Sequence, residues 1–344
     1  MGAKRMSTGE GRVPKAVSTI TPLRISFAGG GTDLPAYYEK NDGAVISSAI
    51  DKYIYVTVKR HSPLFQEAYR LSYSKTENVE SLEDIENDIA RECLRLVPVE
   101  PPLYIATAAD LPASSGLGSS SSFAVGLLHA LHLLRGERVS SAQLAEEACQ
   151  VEIQILGNPI GKQDQYAAAF GGLNHICFKK HGRVEIDHLV LSDNLINRVF
   201  SNSLLIWTGV QRSASNILQK QNKKLEKNLI QYGHLSSATN VLKNLILSPP
   251  VDFLEQFGAL LENTWDIKKK LEGSISSSEI DATHQQLKAL GSYGGKLSGA
   301  GGGGFLYEIL SESAQRKVLD LFGNSRVIRI AYEPVGSRVL SELY

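Results

Sequence analysis

Cysteine is scarce. The chain has three, Cys93, Cys149 and Cys177, scattered over 344 residues. Three cannot build a disulfide framework or a zinc site, and such sparse use suits a reducing compartment. No charge sign is in excess, with 36 Lys+Arg against 36 Asp+Glu. That removes the electrostatic basis for nucleic acid or an anionic membrane as partner. No apolar run approaches the about 20 residues of a membrane span. The first residues, to about Ser18, contain Lys4, Arg5, Arg12 and Lys15 but no apolar stretch. They are expected to be a flexible tail, not a signal peptide, and together these absences point to the cytoplasm. None of the eight histidines has metal-site spacing, and no Ser/His/Asp trio is apparent.

What is present is a soluble globular composition, 42% hydrophobic and 21% charged, in a chain long enough for one large or two modest domains. Its most informative stretch is Leu111–Ser122, Leu-Pro-Ala-Ser-Ser-Gly-Leu-Gly-Ser-Ser-Ser-Ser. It follows an apolar strand, Leu103–Ala108, and precedes an apolar helix, Phe123–Leu134. A Gly/Ser loop that opens a helix is an anion cradle: glycine lets the backbone approach, the first helical N–H groups are unpaired, and the helix dipole favours negative charge. A bland connector would not sit between two apolar elements. No Gly-Lys-Ser/Thr follows, so this is not a Walker A loop, and any lysine meeting the phosphates must come from elsewhere.

Strands are expected at Ile20–Phe27, Ala44–Ile50, Tyr53–Lys59 and Arg70–Tyr73, with a helix over Leu82–Val97. A second helix over Ala142–Leu156, capped by Ser140 or Ser141, ends at Gly157-Asn158-Pro159. Strands Leu173–Phe178, Arg183–His188 and Ser203–Trp207 follow, and residues 213–290 look almost wholly helical. Gly291–Gly304 is a second long glycine loop, leading to strand Phe305–Leu310, helix Ser313–Phe322 and strand Val327–Ala331. Strands dominate the first half and helices the second, so an α+β protein of two fused lobes is expected. The divisions are 1–18 as tail, 19–200 as the first lobe and 201–344 as the second.

Three other segments carry candidate chemistry. Gly29-Gly30-Gly31-Thr32-Asp33 closes the first strand. It fails as a dinucleotide fingerprint, since Leu34-Pro35 follows instead of a third glycine. It reads as a tight strand exit or as a cradle for a polar substrate, with Asp33 accepting from its hydroxyls. Arg24 is either a surface strand residue or a group that polarises a reacting oxygen. Gln163-Asp164-Gln165 lies among Gly157, Gly161, Gly171 and Gly172, which suggests a closely approached segment and makes Asp164 the candidate base. Glu152, on the preceding helix, would ordinarily be a boundary charge. The Gly299–Gly304 run would pack against the first two loops and cover a substrate. Trp207 and Trp265 read as core.

Together the three loops resemble the GHMP kinases, a family that includes galactokinase, homoserine kinase and mevalonate kinase. The first motif matches Thr21-Pro-Leu-Arg24-Ile-Ser-Phe-Ala-Gly-Gly-Gly-Thr-Asp33. The second matches Pro112–Ser120 and the third Lys296-Leu-Ser-Gly-Ala-Gly-Gly-Gly-Gly304. The resemblance implies a ribosomal-S5-domain-2-like N-terminal lobe and a ferredoxin-like C-terminal lobe. Gly-Gly-Gly-Thr-Asp in the first motif, Gly161–Gly172 and Trp207–Ala214 are similar to the branch acting on D-glycero-D-manno-heptose 7-phosphate. The implied reaction is ATP-dependent phosphorylation of the anomeric hydroxyl, giving the 1,7-bisphosphate, in precursor synthesis for surface polysaccharide. A sugar 1-kinase for an unphosphorylated sugar such as L-fucose is one alternative. A non-catalytic sugar and nucleotide sensor on the same fold is another. The chain departs from the family in having Ser121 and Ser122 where Ala is frequent.

By the same resemblance ATP would be held by Pro112, Ser114, Ser115, Gly116, Leu117, Gly118, Ser119, Ser120 and Ser121. Mg²⁺ would be held by Ser120 and Glu152. Asp164 would take the acceptor's proton, while Arg24 stabilises the transferring group or holds Asp164 ionised. The acceptor would be bound by Gly29, Gly30, Gly31, Thr32, Asp33, Gln163, Gly301 and Gly302. Its own phosphate needs a cation, and the residues themselves offer Arg212, with Ser213 and Ser215 in support and Lys162 as second choice; Arg212 equally reads as a residue that caps or flanks the next helix. The expected partners are small molecules, a sugar phosphate and ATP; a homodimer is left open.

Overall fold

The computed structural model describes residues 13–210 and 214–344. Twelve strands and eleven helices are present among the described residues. In the first part of the chain they are β1 (Ala16–Ala28), α1 (Pro35–Tyr38), β2 (Gly43–Arg60), β3 (Tyr69–Ser72), β4 (Thr76–Val79), α2 (Asp88–Leu96), β5 (Leu103–Ala109), α3 (Ser119–Leu134), α4 (Ser141–Cys149), α5 (Gln163–Phe170), β6 (Leu173–Phe178), β7 (Val184–His188) and α6 (Asp193–Phe200). Then come β8 (Ser203–Trp207), α7 (Ala214–Lys223), α8 (Leu229–Leu247), α9 (Phe253–Lys269), α10 (Ser278–Ala289), β9 (Ser292–Leu297), β10 (Phe305–Leu310), α11 (Glu312–Phe322), β11 (Val327–Arg329) and β12 (Arg338–Leu343).

Two sheets organise these elements, as the α+β expectation required. The larger runs β12-β1-β2-β5-β3-β4, with the β6–β7 hairpin paired to the first half of β2. The smaller runs β11-β8-β10-β9. Helix α3 lies on the large sheet and is apolar on nearly every side, with twelve of its residues buried. Gly126 sets its depth: a Cβ there would lie 2.7 Å from Thr21 Oγ1. Thr19 Oγ1 donates to Gly126 O at 2.9 Å and Ser122 Oγ to Pro22 O at 2.8 Å. Those contacts anchor the helix end that faces the glycine loop.

The lobes share one core. The larger apolar cluster joins Leu23, Ile46, Val56 and Leu127 of the first lobe to Phe257, Leu261, Phe305 and Tyr307 of the second. Phe27, at the end of β1, sits at the seam, its ring 5.3 Å from Phe257 and 5.5 Å from Tyr307. A second cluster around Trp265, Tyr232 and Leu306 lies in the C-terminal lobe and takes in Tyr37 of the first. No helix among the described residues is long and apolar enough to cross a membrane.

The structure departs from the sequence reading in several places. Strand β1 begins at Ala16, inside the stretch expected to be tail, because β12 pairs with it from Ala16 to Ile20. The last strand therefore belongs to the first lobe's sheet. Ala44–Ile50 and Tyr53–Lys59 are one long strand. The helix expected over Leu82–Val97 is a short 3₁₀ turn and then α2, whose start is set by Asn87 capping Ala90 N at 3.0 Å. Six residues of the second glycine stretch, Ser292–Leu297, form strand β9.

Candidate active site

The glycine and serine loop between β5 and α3 enters the helix through left-handed residues: Ser114 has φ 57°, Gly116 83° and Gly118 79°. Gly118 is the N-cap and has no side chain to close the first turn. The N–H groups of Ser119, Ser120 and Ser121 therefore have no intrahelical acceptor, and the positive end of the dipole is open to an anion. The loop is pinned from three directions. Leu117 O accepts from Arg24 N at 3.1 Å and Ser115 O from Phe305 N at 3.3 Å. The third support is the Gly299–Gly304 run: a Cβ on Gly116 would lie 2.5 Å from Ser298 O, and one on Gly299 would lie 2.5 Å from Gly116 Cα. Only glycine permits that approach.

Arg24 links this loop to the candidate base. Its Nε and Nη2 donate to the two carboxylate oxygens of Asp164 at 2.7 and 2.6 Å, and its Nη1 donates to Gly116 O at 2.7 Å. Arg24 is 4% exposed, so the surface alternative is removed. Asp164 stands in the first turn of α5, and a Cβ on Gly118 would be 3.3 Å from its Oδ2. One carboxylate thus borders both the glycine and serine loop and the open cleft, with a side chain 22% exposed. An acceptor hydroxyl placed there would have a charged oxygen to receive its proton and a helix N-terminus beyond it.

Glu152 occupies a π-helical turn, Gln150–Ile155, that continues α4. Such turns concentrate at functional sites. Glu152 is 1% exposed, not a boundary charge. Burial pushes its carboxyl up to about 7, against the Ser121 and Ser120 hydroxyls and the Gln165 amide, which favour the ionised form. Gln165 Nε2 donates to Oε2 at 2.7 Å, while Oε1 is buried without a hydrogen-bond partner. An orphaned carboxylate oxygen beside two hydroxyls fits a divalent cation. Among the described residues no group of three His, Cys, Asp or Glu could hold a metal alone. A hard cation here would need oxygens from phosphate and water to complete its shell.

Asp33, by contrast, is partly committed to the fold. Its Oδ1 accepts from Gly31 N at 2.9 Å and its Oδ2 from Gln163 N at 3.3 Å, the start of α5. Burial and then the Asp164 charge raise its carboxyl above the usual range, opposed by those backbone N–H groups. It still lines the cleft with Gly30, Gly31 and Gln163. Thr32 does not: its hydroxyl lies 2.8 Å from Gly29 O and from Ala44 O and ties the loop to β2. Gly29 is likewise pressed against β2, where a Cβ would be 1.9 Å from Ala44 O.

The Lys162 ammonium donates to Gly182 O at 2.9 Å and lies 3.4 Å from Glu146, turned away from the cleft. Gly301 and Gly302 face Ile275, with Gly302 N donating to Ile275 O at 2.7 Å, while Gly299 and Ala300 line the cleft. Ser114, Gly116, Gly118, Ser119, Ser120 and Ser121 line it with Pro112, whereas the Ser115 and Leu117 side chains turn inward. Ser215 lines it too; Arg212 and Ser213 lie outside the described residues.

Sequence reasoning missed Lys268 of α9, which reaches the cleft and donates to Gly299 O at 2.6 Å. In the sequence it is the first of three consecutive lysines and looks like a solvated face. In the sequence Lys296 opens the third motif. Its Nζ donates to Ser26 O at 2.9 Å. The cleft also has a mostly apolar part lined by Ile54, Tyr73, Ile89, Leu111 and Phe123, together with Asn87. A flat heterocycle attached to the phosphates would fit it.

Residues 71–172 match the family described as GHMP kinases N terminal domain, and residues 251–324 that described as GHMP kinases C terminal. The chain is 31% identical over 304 residues to D-glycero-alpha-D-manno-heptose 7-phosphate kinase of Campylobacter jejuni, covering 85% of this chain and 89% of that protein. A galactokinase of Pyrococcus furiosus is 24% identical, covering 88% and 92%. Among solved structures, a D-glycero-D-manno-heptose 1-phosphate kinase from Bacteroides thetaiotaomicron superposes with a TM-score of 0.75 at 23% identity, over 95% of this chain and 99% of the other. The mevalonate kinase of Methanococcus jannaschii gives 0.69 at 19%, over 94% and 100%.

Proposed function

Because the chain belongs to the GHMP kinase family, as a sugar kinase, we propose that it transfers the γ-phosphoryl group of ATP to the anomeric hydroxyl of D-glycero-D-manno-heptose 7-phosphate. The observation that carries this reading is the 31% relative of that name aligned over 85% of the chain. The Gly116–Arg24–Asp164 bridge supports it, because it puts a carboxylate beside the place where the phosphates end.

The sugar hydroxyl gives its proton to an Asp164 oxygen while its own oxygen bonds to the γ-phosphorus. The bond from that phosphorus to the bridging oxygen breaks, and ADP leaves. Such a transfer depends on positioning and charge neutralisation more than on covalent chemistry. Arg24 fixes both carboxylate oxygens and holds the loop by Gly116 O. The first-turn N–H groups of α3 receive the phosphates. Asp33, Gly31 and Gln163 orient the sugar, and the closely packed third loop keeps water out. Ser120 and Glu152 would hold Mg²⁺, which supplies charge neutralisation on the phosphate oxygens.

The test is ATP consumption across a panel of sugars and sugar phosphates, with the new phosphate located by NMR. A 1,7-bisphosphate from the heptose 7-phosphate is expected. Turnover confined to an unphosphorylated sugar would replace this reading with the galactokinase- or fucokinase-like alternative, to which relatives of lower identity point.

A further inference from the structure

Two buried ammonium groups enter the cleft from the C-terminal lobe, and neither is paired. Lys268 is 6% exposed and Lys296 is 5% exposed. Their hydrogen bonds go to carbonyl oxygens, Lys268 to Gly299 O and Lys296 to Ser26 O and Phe27 O, and among the described residues no carboxylate lies within ion-pair distance of either. Arg24 adds a third cation nearby, but its charge is paired with the Asp164 carboxylate, and Nη1 donates to Gly116 O. Burying an unpaired ammonium is strongly unfavourable, and here the two repel each other as well. Asp33 and Asp164 offset the Lys268 charge only from beyond ion-pair distance, so the arrangement is open to a bound anion.

The place for that anion is over Gly30. A Cβ at Gly30 would be 3.5 Å from Ser26 Oγ, 3.9 Å from Gln163 Nε2 and 4.0 Å from Lys268 Nζ. Ser26 is 7% exposed, and its hydroxyl is buried without a hydrogen-bond partner. Gln163 Oε1 is buried without one too. A hydroxyl, an amide and an ammonium converge on a space kept open by the absence of a side chain. The ATP phosphates already have the α3 N-terminus, in the other lobe.

We propose that Lys268, backed by Lys296 and flanked by Ser26 and Gln163, forms a subsite for the phosphate group that the acceptor sugar already carries. The proposal rests on the reading that the acceptor is a sugar phosphate. It makes Lys268 the residue that discriminates a phosphorylated acceptor from its unphosphorylated counterpart.

The experiment compares Lys268→Met with wild type on heptose 7-phosphate and on unphosphorylated heptose. The kcat/KM preference for the phosphorylated acceptor should fall by about 10- to 100-fold, as expected for a lost charge-assisted contact. Equal loss on both acceptors overturns the proposal and moves Lys268 to the transferring group. A second arm needs no sugar: calorimetric titration with inorganic phosphate, with Mg²⁺ and a non-hydrolysable ATP analogue present to fill the other site. Wild type should bind phosphate, Lys268→Met at least about tenfold more weakly.

Burial, with Arg24 adding to it and Asp33 and Asp164 opposing, brings the Lys268 ammonium down to about 8; burial, and then the Lys268 and Arg24 charges, hold Lys296 on β9 well below the usual lysine range. Phosphate should therefore bind wild type more weakly at about pH 9 than at about pH 7. That comparison stands even if the variant does not fold. Absence of phosphate binding, or binding indifferent to both variant and pH, overturns the subsite. Lys268-dependent phosphate binding in an enzyme that phosphorylates neither heptose would support the subsite and reject the heptose.

Discussion

Arg24 is held at three points, two on Asp164 and one on the phosphate loop, so changing either carboxylate of the site has separable consequences. Asp164→Asn keeps the shape and removes the proton acceptor. Turnover is expected to fall by on the order of 10² or more, while ATP binding, measured by calorimetry, persists. Near-normal kcat would remove Asp164 from its role. Glu152→Gln keeps the Gln165 neighbour and removes a buried charge. The Mg²⁺ concentration for half-maximal rate should rise by about 10- to 100-fold. The unfolding midpoint should hold or rise, because no carboxylate then has to be ionised in the interior. A variant with an unchanged Mg²⁺ requirement would take Glu152 out of the metal site.

Among the elements, α9 and α10 are fastened to the smaller sheet by a buried network that the reaction does not use. His284 Nδ1 lies 2.6 Å from Glu308 Oε1, and its Nε2 lies 2.9 Å from Glu262 Oε1. Ser292 Oγ donates to the other Glu308 oxygen at 2.6 Å. Burial acts to lower the imidazole, but the two carboxylates outweigh it and raise it to about 10. A group raised in the folded state contributes fully below its unfolded value, about 6.5, and the contribution is lost as pH rises toward about 10. Between those limits wild-type stability should fall by up to about 1.4 kcal/mol per pH unit. His284→Gln should be less stable near neutrality and flatter across that window in thermal unfolding. Parallel curves for the two proteins would mean that the network does not titrate in this range. Because α9 carries Lys268 and β9 carries Lys296, this network also holds the two lysines' elements together.

At the scale of the whole molecule, the two lobes meet backbone to backbone at the site. Gly299 has φ 72°, and a Cβ there would lie 2.5 Å from Gly116 Cα. Gly299→Ala must either strain Gly299 or push the phosphate loop away, at a cost of about 1–3 kcal/mol. Both a lower unfolding temperature and a weaker ATP affinity are expected. A drop in stability alone, with ATP binding intact, would show that the loops pack together without shaping the nucleotide site. β12 adds a second tie, since the last strand closes on the edge of β1.

The sequence by itself determined the local chemistry. Three glycine loops, the apolar strand and helix around the serine run, and the α+β order follow from residue type and spacing, because a turn, a helix start or an open backbone is decided by a few neighbouring residues. It could not show that the acidic helix breaks before Asn87, because apolar spacing continues through a cap. Nor could it show the π turn that buries Glu152, because one extra residue in a turn leaves no compositional mark. Only the tertiary structure decided what converges. Arg24 and Asp164 are 140 residues apart in the chain, and Lys268 looks like any surface lysine until α9 packs beside Gly30. Such meetings depend on how the shared apolar core sets one lobe against the other, a sum over many distant contacts that no short stretch encodes.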